Sequence, residues 1–186
     1  KKAPLQTIAA SIKLRRPMVR HQARRLLERS QTTILDCGDG VRLQGVYTPH
    51  GDSMRDIAVL IHGWEGSSDS VYLVAAASCL YRRGLDVFRL NLRDHGPTHH
   101  LNPGLFHSCR TGEVVGAVRA VQEAYARRRL FLGGFSLGGN FALRVAARAP
   151  AAGIALQQVV AISPVLNPVR TMDALENGSR GYHDYF

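Results

Sequence analysis

Cysteine is scarce: only 3 of the 186 residues are cysteine, and Cys37, Cys79 and Cys109 form no C-x-x-C pair. That removes a disulfide framework and a thiolate metal cluster, and an odd, sparse set of thiols fits a reducing compartment. The expected location is cytoplasmic, peripheral to a membrane at most. Cys109 sits in a polar, histidine-rich loop, where it reads either as a reactive thiol or, more plainly, as a thiol without a role. Long apolar runs are missing too. The longest, Ile154 to Leu166, is broken by Gln157, Gln158, Ser163 and Pro164, and it falls short of the roughly 20 residues that cross a bilayer. No secretory pattern opens the chain, which begins at Lys1 rather than Met, as a processed or trimmed N-terminus would. There is no G-x-x-x-x-G-K-[ST] loop and no dinucleotide fingerprint, so no cofactor is expected. Repeats and low-complexity tracts are absent as well.

Acidic residues are few, 14 against 24 Lys and Arg, for a net charge of +10. The excess is local. Lys1, Lys2, Lys13, Arg15, Arg16, Arg20, Arg24, Arg25 and Arg29 face Glu28 alone in the first 30 residues. Residues 1–30 therefore read as a basic arm, and residues 31–186 as a nearly neutral body. No aromatic residue interleaves with these cations, so base stacking has no platform and nucleic acid is not an expected partner. The arm also carries Ile8, Ile12, Leu14, Val19, Leu26 and Leu27, while Pro17 interrupts any single helix. Met18 to Arg29 is expected as an amphipathic helix. Its apolar residues either pack on the domain while the arginines stay solvated, or its basic face meets an anionic membrane.

The body has ordinary globular composition, 45% hydrophobic and 20% charged, and length for one domain with a core. Thr32 to Cys37 and Val41 to Thr48 alternate around Gly38-Asp39-Gly40, a hairpin signal. Buried strands are expected at Ile57 to His62, Leu85 to Leu90, Leu130 to Phe135 and Gln158 to Ile162. Helices are expected at Val71 to Arg83, Glu113 to Arg127 and Leu137 to Arg148. A hairpin followed by βα units implies an α/β fold, a mostly parallel sheet with helices on both faces.

Ser136 lies in Gly134-Phe135-Ser136-Leu137-Gly138, between an apolar strand and a helix. That is a G-x-S-x-G nucleophile elbow in its proper setting. The glycines clear space around a strained turn, and the helix N-terminus favours negative charge there. The plainer reading is a bare strand-to-helix turn. A second motif upstream argues against it. Val59-Leu60-Ile61 breaks at His62-Gly63 into the loop Trp64-Glu65-Gly66-Ser67. In α/β-hydrolases this loop gives one backbone N–H of the oxyanion hole, and the residue after the nucleophile gives the other. Trp64 and Leu137 are the candidates. His62 is expected to order the loop by hydrogen bonds rather than to move protons.

Asp94, His95, His99, His100 and His107 cluster after the Leu85–Leu90 strand, at the same end of a parallel sheet as Ser136. His95 or His107 is thus a candidate local base, with Asp94 orienting it. The structural alternative is that Arg93 and Asp94 pin the loop through ion pairs and backbone hydrogen bonds. A metal site is not expected. Gly96-Pro97 forbids a helix that would stack His95 and His99, and H-E-x-x-H is absent.

Four stretches, Leu5-Gln6-Thr7-Ile8, His62-Gly63-Trp64-Glu65-Gly66-Ser67, Asn91-Leu92-Arg93-Asp94-His95-Gly96 and Gly134-Phe135-Ser136-Leu137-Gly138-Gly139-Asn140, resemble the YheT-like esterase group of α/β-hydrolases in order. Tyr182-His183-Asp184-Tyr185-Phe186 resembles the approach to that group's lid, expected near residues 170–186. The resemblance implies a carboxylic-ester hydrolase with a Ser-Asp-His triad, acting on acyl esters or lipids. The order in such enzymes is serine, acid, histidine. After Ser136 only Asp173, Glu176, Asp184 and His183 remain, and Asp184 follows His183. The expectation is therefore an N-terminal portion that stops before its acid and base, with an unpaired sheet edge at Gln158–Ile162. Two other functions stay open. One is a catalytically silent hydrolase-fold module whose basic arm binds membrane or a partner. The other is an acyltransferase or thioesterase using the same elbow.

Overall fold

The computed structural model of the protein describes residues 15–51, 55–125 and 129–177. Leu5 to Ile8 and Tyr182 to Phe186, both part of the resemblance above, lie outside the described residues. Six strands form one sheet: β1 (Gln31–Asp36), β2 (Arg42–Thr48), β3 (Ile57–Ile61), β4 (Asp86–Leu90), β5 (Leu130–Phe135) and β6 (Leu156–Ile162). Their order across the sheet is β1-β2-β4-β3-β5-β6. The β1–β2 and β2–β4 pairs are antiparallel, whereas β4–β3, β3–β5 and β5–β6 run parallel.

Local chemistry accounts for the hairpin. Gly38, Asp39 and Gly40 all have positive φ, at 87°, 53° and 73°, a run that glycine and Asp tolerate best. Asp36 Oδ1 accepts the Gly38 N–H at 2.9 Å and starts the turn. Beyond it, β3 and β4 are buried at every residue, as strands covered on both faces must be. Successive β3 side chains alternate between two cores. Ile57, Val59 and Ile61 meet Phe88, Leu90, Leu132 and Phe141 under helices α4 (Thr111–Tyr125) and α5 (Leu137–Arg148). Leu60 meets Val87 and the helices of the other face. Each fully buried Leu, Ile or Phe contributes about 1.5–3 kcal/mol through removal from water.

That other face differs from the sequence expectation. Instead of one helix over Met18–Arg29 there are two short ones, α1 (Arg16–Gln22) and α2 (Arg24–Glu28), joined at Ala23. Pro17 opens α1 at its first turn, where its missing N–H costs nothing, rather than interrupting a helix. Val19, Ala23 and Leu26 are buried against Leu73, Val74, Ala77 and Tyr81 of α3 (Val71–Arg82), while Arg16, Arg20, Arg24 and Arg25 are exposed. A further helix, α6 (Pro168–Glu176), follows β6, capped by Asn167 accepting the Arg170 N–H at 3.1 Å. The sequence expectation had no helix there. β6 closes one edge of the described sheet, with Val160 47% and Ile162 45% exposed.

Among the described residues no helix is long and apolar enough to cross a membrane.

Candidate active site

Ser136 occupies the turn between β5 and α5 with φ 52° and ψ −117°. This conformation suits glycine, and holding it in serine stores about 1–3 kcal/mol. Its surroundings enforce it. The Ser136 N–H donates to Ile162 O at 2.9 Å, and its carbonyl accepts from Asn140 N at 3.1 Å and Val165 N at 3.4 Å. Asn140 Nδ2 donates to Val165 O at 2.8 Å, fastening the segment after β6 to the elbow. A Cβ at Gly138 would overlap the carbonyls of Ile61 and His62, and one at Gly134 would overlap the Gly138 carbonyl. Only glycines let α5 start this close to β3. Ser136 stands at the N-cap of α5, yet its hydroxyl caps nothing, and the residue is exposed. The hydroxyl is presented, not consumed.

The loop after β3 packs directly against it. A Cβ built on Gly63 would lie 3.3 Å from Ser136 Cβ. Gly63 O accepts the Gly66 N–H at 3.1 Å, closing a turn in which Glu65 takes φ 57°. The same oxygen accepts from His62 Nδ1 at 2.6 Å. Because the peptide is trans, pinning the Gly63 carbonyl turns the Trp64 N–H to the opposite side. Among the described residues that N–H has no acceptor. Leu137 is the first residue of α5, so its N–H also lacks an intrahelical partner.

His62 is fully buried, and both ring nitrogens are committed. The Leu92 N–H donates to Nε2 at 3.1 Å, which makes Nε2 the acceptor and leaves Nδ1–H to donate to Gly63 O. Burial, with the neighbouring His95 ring adding to it, lowers its pKa from 6.5 to about 4. His62 is a neutral strut for the loop.

The post-β4 segment is tied down residue by residue. Arg93 is 3% exposed and grips Glu113, Nη2 to Oε1 at 2.6 Å and Nε to Oε2 at 3.1 Å, while Nη1 donates to Pro103 O at 2.6 Å. Arg110 adds a second contact to Glu113 at 3.1 Å. Asp94, at φ 58°, accepts the Phe106 N–H at 2.6 Å and lies 3.7 Å from His99 Nδ1. His95 donates from Nδ1 to Arg93 O at 2.7 Å, with its ring 4.9 Å from His62 and edge-on to Phe106. His107 is exposed in the turn that precedes α4, its carbonyl accepting from Arg110 N at 3.1 Å. Among the described residues, no histidine hydrogen-bonds Ser136, and Asp94 orients neither His95 nor His107. His95, Leu105, Phe106, Trp64, Glu65 and Gly66 are among the residues lining an open cleft of about 390 Å³, and Ser136 is not.

Among the described residues, no group of three His, Cys, Asp or Glu side chains converges as metal ligands would. Cys37 is inert, its thiol pushed up to about 12 by burial. Sequence reasoning missed Tyr72, whose hydroxyl accepts the Gly63 N–H at 2.9 Å. A tyrosine on an amphipathic helix carries no signal of such a contact.

Several solved structures share this architecture. The Pyrococcus furiosus esterase Pf2001 superposes with a TM-score of 0.67 at 19% identity, covering 81% of this chain and 57% of its own. Est1E from Butyrivibrio proteoclasticus gives a TM-score of 0.61 at 18% identity, covering 77% and 55%. A lidless α/β serine hydrolase from Xanthomonas campestris gives 0.56 at 20% identity, covering 81% and 80%. At these identities the likeness carries the fold. The chain spans 57–60% of the length of the Pyrococcus furiosus esterase structures. No curated protein matches the sequence. Residues 58–186, from the first buried strand through the elbow, match the α/β-hydrolase fold family, and the chain belongs to it.

Proposed function

We propose that this chain carries the nucleophile and the oxyanion donors of a serine carboxylic-ester hydrolase. The observation that supports this best is the elbow. Ser136 is strained, exposed and free of capping duty, and Gly63 packs against its Cβ. In the proposed reaction Ser136 Oγ gives its proton to a histidine and attacks an ester carbonyl. The resulting oxyanion accepts from the Trp64 and Leu137 N–H groups, each contributing about 3 kcal/mol on the scale of oxyanion-hole deletions. Collapse breaks the C–O bond, the histidine protonates the departing alcohol, and water then releases the acid. The base in this scheme comes from outside the described residues, since His62 is locked neutral by its two hydrogen bonds.

The substrate class is an acyl ester or lipid with a moderately apolar chain. The cleft supports this, because exposed Leu105 and half-buried Phe106 give it an apolar wall beside the polar Glu65 and His95. The YheT-like resemblance narrows the reading to that esterase group, and the esterases among the similar structures agree with the reaction class. The exposed arginines of α1 and α2 suit an enzyme working beside an anionic membrane.

One observation favours a second reading, a catalytically silent module: no described histidine reaches Ser136. A fluorophosphonate probe decides. Applied to the full-length product of the gene, it labels wild type and spares Ser136→Ala if the esterase reading holds. A full-length product that takes no label is the silent module.

A further inference from the structure

Tyr72 is the second residue of α3 and touches two parts of the site at once. Its ring packs on Phe135, the residue before the nucleophile, at 5.0 Å between centroids. Its hydroxyl accepts the N–H of Gly63 at 2.9 Å. A methyl-sized group on Gly63 would sit 3.3 Å from Ser136 Cβ and 3.6 Å from Tyr72 Oη, so nucleophile and phenol flank one point of the loop. Gly66 also borders that oxygen, at 2.7 Å from its would-be Cβ. The turn from Gly63 to Gly66 is thus closed against the phenol.

This matters for the neighbouring peptide. The Gly63 carbonyl is held by His62 Nδ1–H and the Gly66 N–H. The Gly63 N–H is held by Tyr72. With both polar groups of Gly63 fixed, the residue's φ and ψ are fixed, and with them the direction of the Trp64 N–H. Remove the Tyr72 bond and one of those restraints goes, in a segment whose glycines resist rotation least.

We propose that Tyr72 is a positioning residue for the oxyanion loop: through the Gly63 N–H it holds the Trp64 amide in line with Ser136, while its ring braces the elbow through Phe135. The inference rests on the esterase reading of the site. It is distinct from the roles of Ser136, Trp64 and Leu137, because the phenol acts through Gly63 and touches no substrate in this scheme.

The test is Tyr72→Phe in the full-length product of the gene, with Tyr81→Phe as a control. Tyr81 also loses a phenol contact, to Pro49 O at 3.3 Å, far from the elbow in the fold. Two quantities are read: amide hydrogen exchange at Gly63, and the rate of fluorophosphonate labelling at Ser136. Tyr72→Phe is expected to speed Gly63 exchange about 5-fold, the worth of one ordinary hydrogen bond. It is also expected to slow labelling about 10-fold, as misplacement of a catalytic group does. With a chromogenic ester, kcat falls and KM stays. Tyr81→Phe leaves labelling unchanged. Unchanged Gly63 exchange in Tyr72→Phe overturns the proposal, and so does faster exchange with wild-type labelling. A Tyr72→Phe chain that fails to fold overturns it too, since the phenol would then hold the fold rather than the loop. If wild type takes no label, the esterase reading fails and the proposal goes with it; if wild type labels and Tyr72→Phe labels equally, the proposal fails alone.

Discussion

The backbone N–H of Leu92 donates to Nε2 of His62 at 3.1 Å, joining the segment after β4 to the loop after β3. A proton on Nε2 would abolish that bond and charge a buried ring. Burial first, with the neighbouring His95 adding to it, lowers the pKa of His62 to about 4.

Stability should follow from that shift. A histidine with a depressed folded pKa binds its proton more readily in the unfolded chain, so its contribution is complete above pH 6.5. It is lost as pH falls from 6.5 towards 4. The loss attributable to His62 is about 3 kcal/mol. Urea unfolding at pH 7 and near pH 4 is expected to show a steeper decline for wild type than for His62→Gln. Parallel declines would contradict the assignment.

Ser136 invites a substitution that relieves backbone strain while removing the hydroxyl. Its positive φ of 52° is one glycine adopts without strain. Ser136→Gly is expected to raise the unfolding free energy by about 1 kcal/mol while removing all labelling. A destabilised Ser136→Gly would mean that the turn is not under strain.

Glu113 carries the charge that keeps Arg93 tolerable in a nearly dry setting, where the two are 9% and 3% exposed. Glu113→Ala strands the guanidinium and should cost about 3 kcal/mol. Replacing both, as Arg93→Met with Glu113→Leu, is expected to recover most of that loss. Additive losses from Arg93→Met and Glu113→Leu would show that the pair acts through packing alone. Denaturant midpoints at constant m-value give the comparison.

The arginines of α1 and α2 make a surface prediction. Arg16, Arg20, Arg24 and Arg25 are exposed beside half-exposed Met18, while Val19 and Leu26 face inward, so the helices offer mostly charge. The protein is expected to sediment with phosphatidylserine vesicles at low salt and to be released as salt rises, each cation contributing about 1 kcal/mol. Reversing these four charges should abolish the effect. Equal binding to neutral phosphatidylcholine vesicles would sink the idea.

What the chain revealed in one dimension was whatever its chemistry keeps local. The elbow was legible because strand, glycines, serine and helix are contiguous. The hairpin was legible because Asp36, Gly38 and Gly40 build their own turn. The sheet followed from β3, apolar at every position, and from Val87, Phe88 and Leu90 of β4. The break at Ala23 was not legible, since the packing of Val19 and Leu26 on α3 decides it. Nor was α6, a short helix of mixed polarity announced only by Asn167-Pro168. The histidine cluster showed the limit most clearly. Proximity in sequence suggested that Asp94 orients His95, whereas Asp94 serves the Phe106 N–H and His95 serves Arg93 O. Tyr72 and Gly63 are nine residues apart, and only the folded loop brings them together.

The hydrogen bonds that fasten Ser136 to Ile162 and Val165 make the outermost described strand part of what holds the turn at Ser136. The serine's amide hangs from the end of β6, and its carbonyl is shared between Asn140 of its own helix and Val165 just beyond that strand. An edge strand of this kind is a tie as well as a border, since the turn at Ser136 is fastened to it.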